Sequence, residues 1–216
     1  MEIGPPPMRI FERTLPTAAA NLALDDELLH AGGNALRFWE SPETAIVLGR
    51  SQDAAAEIAP GADVPWLRRS TGGGAVAIGP GCLQFSFVLR IEDYPMLRDV
   101  RSSYCEILGS LAAALGEGVT IEGTSDLAWK GRKFSGNAQR RNRDAILHHG
   151  TILYAFPLAA LDRCLREPLR RPVYRGARSH GEFVANLPLP RAEIVARISA
   201  AAASADFPSG PACAVR

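Results

Sequence analysis

Lysine is almost missing from this chain. Of its 24 basic residues only two, Lys130 and Lys133, are lysines, and the rest are arginines. An excess of either charge is missing too. Acidic residues number 23, so the formal charge is +1 with a pI near 7.7, and nothing marks a nucleic-acid or membrane-surface partner. No apolar run approaches the roughly 18 residues that a membrane span needs. The opening "MEIGPPPMRIFE" lacks the apolar stretch of a secretory signal. The four cysteines (Cys82, Cys105, Cys164 and Cys213) are scattered without a CxxC pair, and the histidines fall elsewhere. That spacing excludes a zinc site and predicts buried, reduced thiols in a cytoplasmic protein.

What is present suffices for a core. The chain has 216 residues, 47% of them hydrophobic, with no internal repeat and no low-complexity linker, which predicts one domain. "MRIFERTL" reads as a strand. Pro16-Thr17 opens a helix through "AAANLALDDELLHA", which Gly32-Gly33 closes. "ALRFWE" and "TAIVLG" read as strands, and "DAAAEI" as a short helix. In "CLQFSFVLR", Leu83, Phe85, Phe87 and Leu89 alternate with Gln84, Ser86 and Arg90, the pattern of a half-buried strand. A helix follows with Val100, Tyr104, Ile107, Leu108, Leu111 and Leu115 on one face. "VTIEG" precedes a hairpin, "DLAWKGRKFSG", that turns at Lys130-Gly131. The strand "AILHHGTILYAF", a helix from Pro157 through "PLAALDRCLREPL" and a final helix "RAEIVARISAAAA" complete the chain. Strands outnumber helices and several are joined by hairpin-length links. The expected class is α+β, with a mixed, mainly antiparallel sheet flanked by helices.

Two segments carry chemistry. In "RRSTGGGAVAIGPG" three consecutive glycines offer no side chain to pack, and their use is to bring backbone N–H groups close to a ligand. The preceding Arg68 and Arg69 point to an anion. No Gly-Lys-Ser/Thr follows, so this is not a P-loop, and the next element is a strand, so it is not a dinucleotide fingerprint. The second segment is "WKGRKFSGNAQRR", which holds both lysines, followed by His148 and His149. Neighbours on a strand point to opposite faces, so at most one of these histidines faces a pocket. Periodicity alone describes a soluble α+β domain with an anion-binding glycine loop.

Taken in order, "RRSTGGGAV", "GCLQFS", "SDLAWKGRKFSGNAQRR" and "ILHHGTIL" resemble the lipoate-protein ligase family, whose superfamily includes biotin protein ligases and octanoyl transferases. The resemblance spans Thr17 to Leu189 and implies the biotin/lipoate protein ligase catalytic fold. It implies that Lys133 is the functional lysine and Lys130 an exposed turn residue. It further implies lipoate and ATP as substrates, joined as an acyl adenylate, with Mg²⁺ assisting. A compact ammonium between the carboxylate and the α-phosphate lowers their repulsion. Gly72, Gly73, Gly74 and Ala75 would form the floor, with Arg69 and Ser70 at its edge. Asp126 would be a Mg²⁺ or nucleotide contact, and Ser135, Gly136, Ala138, His149 and Gly150 would complete the binding set.

The chain departs from the family pattern at two positions. Ile78 stands where a histidine is usual, and Ser125 where an asparagine precedes the aspartate. Length predicts one catalytic domain over residues 1–216 without the C-terminal accessory domain of many lipoate ligases, which would be a separate polypeptide or dispensable. Expected partners are lipoyl carrier domains: those of 2-oxoacid dehydrogenase E2 subunits, the glycine-cleavage H-type carrier or a related lipoate-binding protein. The basic segment "PVYRGARSHGEFVANL", Pro172 to Leu187, could meet an acidic carrier or simply close the domain. Two alternatives stay open. An octanoyl transferase needs a nucleophilic thiolate, for which Cys82 beside the glycine loop is the candidate. A non-catalytic lipoyl-binding subunit needs a partner for the chemistry. A Gly-Arg-Gly-Arg-like loop is absent, which disfavours a biotin ligase.

Overall fold

The structure is a computed structural model and describes residues 7–168 and 171–208. In chain order the elements are β1 (Arg9–Glu12), α1 (Ala18–Ala31), β2 (Ala35–Glu40), β3 (Ala45–Leu48), α2 (Ala54–Glu57), β4 (Trp66–Arg68), β5 (Val76–Ile78) and β6 (Cys82–Arg90). Then come α3 (Val100–Leu115), β7 (Val119–Glu122), β8 (Asp126–Trp129), β9 (Arg132–Arg141), β10 (Ala145–Leu153), α4 (Ala159–Cys164), α5 (His180–Phe183) and α6 (Arg191–Ala202). Local chemistry sets the ends. Thr17 caps α1 by accepting from the Ala20 amide at 3.1 Å, and Gly32 closes it at φ 73°. Asp99 caps α3 by accepting from the Ser102 amide, and Gly116 ends it at φ 112°.

Seven strands form one sheet in the order β1-β2-β6-β10-β9-β8-β7. Only the β1–β2 pair is parallel there. A second sheet, β4-β3-β5, pairs β3 parallel to β4 and antiparallel to β5. The class is therefore α+β and mainly antiparallel, as expected. The β8–β9 hairpin turns on Lys130 (φ 50°) and Gly131 (φ 73°), the two positive φ values of a tight two-residue turn.

The large sheet has two buried faces. One packs against α3 and α6 through Phe38, Phe85, Phe87, Ile107, Leu108, Phe134 and Ile194. The other carries α1, through Leu29, and the small sheet with α4, through Trp39, Ile46, Ile78 and Leu161. This corrects the half-buried reading of β6: Gln84 and Ser86 are 6% and 1% exposed, so its polar side faces the interior. Within α3, Val100 is 53% exposed and lies outside the apolar face. The helix expected from Pro157 onward is confined to Ala159–Cys164, because Leu165 turns extended and bridges to Ile58. Among the described residues, no helix is long and apolar enough to cross a membrane.

Candidate active site

A cavity of about 120 Å³ opens between the second face of the large sheet and the glycine loop. Of the residues singled out from the sequence, it brings together Arg69, Gly73, Gly74, Ala75, Asp126, Lys133, Gly136, Ala138, His149 and Gly150. Leu22, Trp39, Val47, Val76 and Ile78 supply its apolar walls. Ile78, 1% exposed on β5, makes that wall greasy where the family pattern has a histidine.

The loop is held from below. Arg69 is 8% exposed and donates to the Gly72 carbonyl at 2.6 Å and the Gly74 carbonyl at 2.8 Å. Burial lowers its pKa to about 10. Its guanidinium thus shapes the loop while lining the cavity. Gly73 has φ 90°, and a Cβ there would come within 2.9 Å of Arg69. Gly49, which sequence reasoning missed, lets the loop pack down: a Cβ would stand 2.1 Å from the Gly73 carbonyl oxygen. Ser70 donates to Asp26 Oδ1 at 2.7 Å, which Arg140 also contacts at 2.9 Å. Ser70 and Gly72 support the loop and do not line the cavity.

The far wall is the β8–β9 hairpin. Leu127 pairs with Ser135 but Ala128 pairs with Lys133, so Phe134 is the extra residue of a β-bulge. The bulge puts Phe134 in the apolar core and turns Lys133 to the cavity side with Gly136 and Ala138. Lys133 lies over Gly136, where a Cβ would come within 3.1 Å of Nζ. Its ammonium reaches Asp126 Oδ1 at 2.8 Å. Asp126 Oδ2 accepts from the Tyr174 hydroxyl, also at 2.8 Å. Both carboxylate oxygens therefore have a protein partner, and each keeps a second lone pair. Ser135 faces the helix side instead, where the Asn137 amide donates to it at 3.1 Å.

Tyr174 belongs to a strap, residues 172–187, whose role the sequence did not disclose. Its basic residues are turned inward. Arg178 donates to the Gly131 carbonyl at 2.9 Å and to the carbonyls of Arg175 and Tyr174. Arg175 is 4% exposed and pairs with Glu167 at 2.7 Å. The strap closes the domain and is not a free basic patch. Asp162, Glu167 and His180 bring donor atoms within 4.8 Å of one another. Arg171 and Arg175 already bind that glutamate, and their positive charge makes this an ion-pair knot unsuited to a cation.

Beneath the cavity, α1 inserts consecutive aspartates. Asp25 is 1% exposed and pairs with fully buried Arg37 at 2.7 Å, and it also accepts from Ser86 at 2.7 Å and from Trp39. Burial pushes the Asp25 carboxyl up, an effect that Arg37 partly offsets. His149 lines the cavity and shares a 2.8 Å hydrogen bond with Thr71. His148 turns to the helix side, against Phe85 and Tyr104. Burial holds both imidazoles neutral, lowered to about 3. As alternation required, only one of them faces the pocket.

Cys82 is fully buried behind Gln84, and burial pushes its thiol up to about 12. Cys164 is buried in the second core and its thiol is also raised. Neither presents a thiolate to the cavity. Cys82 and Cys164 are thus free thiols, as expected, and Cys213 lies outside the described residues.

The arrangement is one ammonium and a glycine loop beside a pocket with one apolar wall and one polar floor. The profile of the family described as "Lipoyl protein ligase A/B catalytic domain" matches residues 17–198. A lipoate-protein ligase A of Psychrobacter cryohalolentis is 30% identical over 187 residues, covering 83% of this chain and 53% of that protein. The chain spans about half the length of the curated relatives it matches. Two solved structures share the fold. The bipartite lipoate protein ligase of Thermoplasma acidophilum, studied with its E2 lipoyl domain, has a TM-score of 0.78 at 23% identity, covering 90% of this chain and 82% of that one. A lipoate-protein ligase A bound with ATP has a TM-score of 0.74 at 21% identity, covering 90% and 83%.

Proposed function

The chain belongs to the lipoyl protein ligase A/B catalytic-domain family, and from that premise we propose that it is a lipoate-protein ligase. It activates lipoate with ATP to lipoyl-AMP and passes the lipoyl group to a lysine of a lipoyl carrier domain. The observation that carries this reading is the Lys133 ammonium, laid over Gly136 in a cavity that sets Arg69, Asp126 and His149 beside an apolar wall of Leu22, Val47, Val76 and Ile78. In the first step the lipoate carboxylate attacks the α-phosphorus and pyrophosphate leaves. Two anions must meet, and Lys133 lowers their repulsion where charge accumulates. In the second step a neutral carrier amine attacks the acyl carbonyl, AMP leaves and the amine's proton passes to solvent. Carriers of the E2, glycine-cleavage or related lipoate-binding class fit this step equally. That similar proteins are described with bound ATP and with an E2 lipoyl domain supports both substrates. Asp126 is the residue that would meet a Mg²⁺, through the lone pairs that Lys133 and Tyr174 leave open.

A thioester route is disfavoured by the inertness of Cys82. A second reading rests on the chain's spanning about half of its curated relatives. In it these residues are the catalytic domain alone, and adenylate formation needs an accessory domain supplied separately. The test is the intact mass of an unmodified lipoyl domain after incubation with the protein. One tube contains lipoate, ATP and Mg²⁺; the other contains octanoyl-carrier protein without ATP. A lipoyl mass gain in the first tube, abolished by Lys133→Ala, is the expected result. Gain only in the second tube overturns the ligase reading, and gain in neither favours the reading in which adenylate formation needs an accessory domain.

A further inference from the structure

Lys133 has four rotatable side-chain bonds and is only partly enclosed, its side chain 28% exposed, and it pairs with Asp126 at 2.8 Å. A single ion pair at the edge of a cavity does not by itself fix a lysine, since the gain barely offsets the lost rotamer freedom. Something must fix the carboxylate first. Asp126 is on β8, directly across from Gly136, and could rotate to offer Lys133 either oxygen or both. The Tyr174 hydroxyl, 48 residues away in sequence, removes that freedom by occupying Oδ2.

The position of Tyr174 is itself over-determined. Its ring packs on Phe183 with centroids 5.0 Å apart, and the guanidiniums of Arg175 and Arg178 lie over Phe183 at 4.9 and 5.2 Å. The strap is pinned to the same hairpin that carries Lys133. Arg132 donates to the carbonyls of Gly181 and Val184, and the Ala185 amide donates to the Lys133 carbonyl at 2.9 Å. The hydroxyl and the lysine backbone thus share one rigid frame. Burial, reinforced by the negative Asp126, pushes the phenol far above its ordinary range, so Tyr174 acts as a hydrogen-bond donor and not as a base.

We propose that Tyr174 is a positioning residue: by holding Asp126 Oδ2 it turns Oδ1 toward Lys133 and keeps the ammonium over Gly136, aimed into the cavity. The contribution to catalysis rests on the ligase reading above, but the geometric claim does not.

The scarcity of lysine makes a direct test possible. Trace acetylation followed by peptide mapping compares Lys133 with Lys130, the chain's other lysine, inside one molecule. Tyr174→Phe keeps the ring contact with Phe183 and deletes the donor. It is expected to raise the Lys133:Lys130 labelling ratio about tenfold, the scale of a lost hydrogen bond to a charged group. The urea midpoint should stay in place. In an Asp126→Ala background, where the ratio is already raised, Tyr174→Phe is expected to add nothing. In turnover it should lower kcat for adenylate formation about tenfold while leaving the KM for lipoate unchanged. An unchanged ratio in Tyr174→Phe, or a further rise in the Asp126→Ala background, overturns the proposal whatever the turnover data show. A raised ratio in a protein that forms no adenylate upholds the positioning claim and sinks instead the reading of a ligase that needs no accessory domain.

Discussion

The two faces of the large sheet are equally buried and differ in what they bury. On the α3/α6 side, β6 contributes Leu83, Phe85, Phe87 and Leu89 to an apolar cluster, beside which β9 and β10 set a short polar string of Asn137, Gln139 and His148. On the other side the same strand contributes Gln84 and Ser86, which meet Asp25, Arg37 and the cavity. The first face stabilises by area removed from water. The second is tolerable only because each polar group has a partner. Sites belong on the second kind of face, where charge can be held dry.

Substitutions can break or sharpen this contrast. The largest effect is expected from Asp25→Ala, which leaves the Arg37 guanidinium buried at 0% exposure without its carboxylate. Urea unfolding should show a loss of about 3–5 kcal/mol, comparable to removing a large side chain from the apolar face.

Next comes pH, which asks whether both faces are equally dry. His148 faces the apolar side and His149 the cavity, and burial lowers both to about 3. A depressed folded-state pKa contributes stability that is present above the unfolded value of about 6.5 and is lost as pH falls toward the folded one. At pH 5 each histidine should have cost about 2 kcal/mol relative to pH 7. His148→Gln and His149→Gln should each remove a similar part of the slope. Unequal parts would show that the cavity side admits water.

Two glycines provide the finest comparison. A Cβ at Gly150 would stand 2.1 Å from Asn137 Oδ1 and 2.8 Å from Phe85, so Gly150→Ala should cost about 1–3 kcal/mol in urea unfolding. A Cβ at Gly136 meets chiefly the flexible end of Lys133. Gly136→Ala should therefore move stability by less than about 0.5 kcal/mol. It should nevertheless slow adenylate formation about tenfold or more by displacing the ammonium, measured as pyrophosphate release.

Much of the frame was legible in the sequence because its signals are local. Thr17, the Lys130-Gly131 turn and the alternation of β6 each act within a few residues. Alternation, however, says only that two faces differ, and the polar side of β6 reads the same whether it meets solvent or a dry cavity. The glycine loop and Lys133 were visible as types of residue in an order. Their supports were not. Arg69 beneath the loop, Gly49 under Gly73 and Tyr174 behind Asp126 depend on contacts across the fold, and no spacing rule reports those. Nothing local sets Asp25 and Asp26 apart within α1, although one is buried and the other braces Ser70.

Regular alternation along "RKFSGNAQRR" would seat Lys133 with Ser135, Asn137 and Gln139, on the face covered by α3. The extra residue at Phe134 makes β9 two pleats half a period out of phase. The ammonium is thereby delivered to one side of the sheet while its immediate neighbour fills the core on the other. No point substitution can achieve that exchange, because it changes an address and not an identity. The hairpin ahead of the bulge is accordingly a phase-shifted cartridge. Inserting or deleting one residue there would be read as a change of side, with the hydrogen-bond ladder beyond it intact.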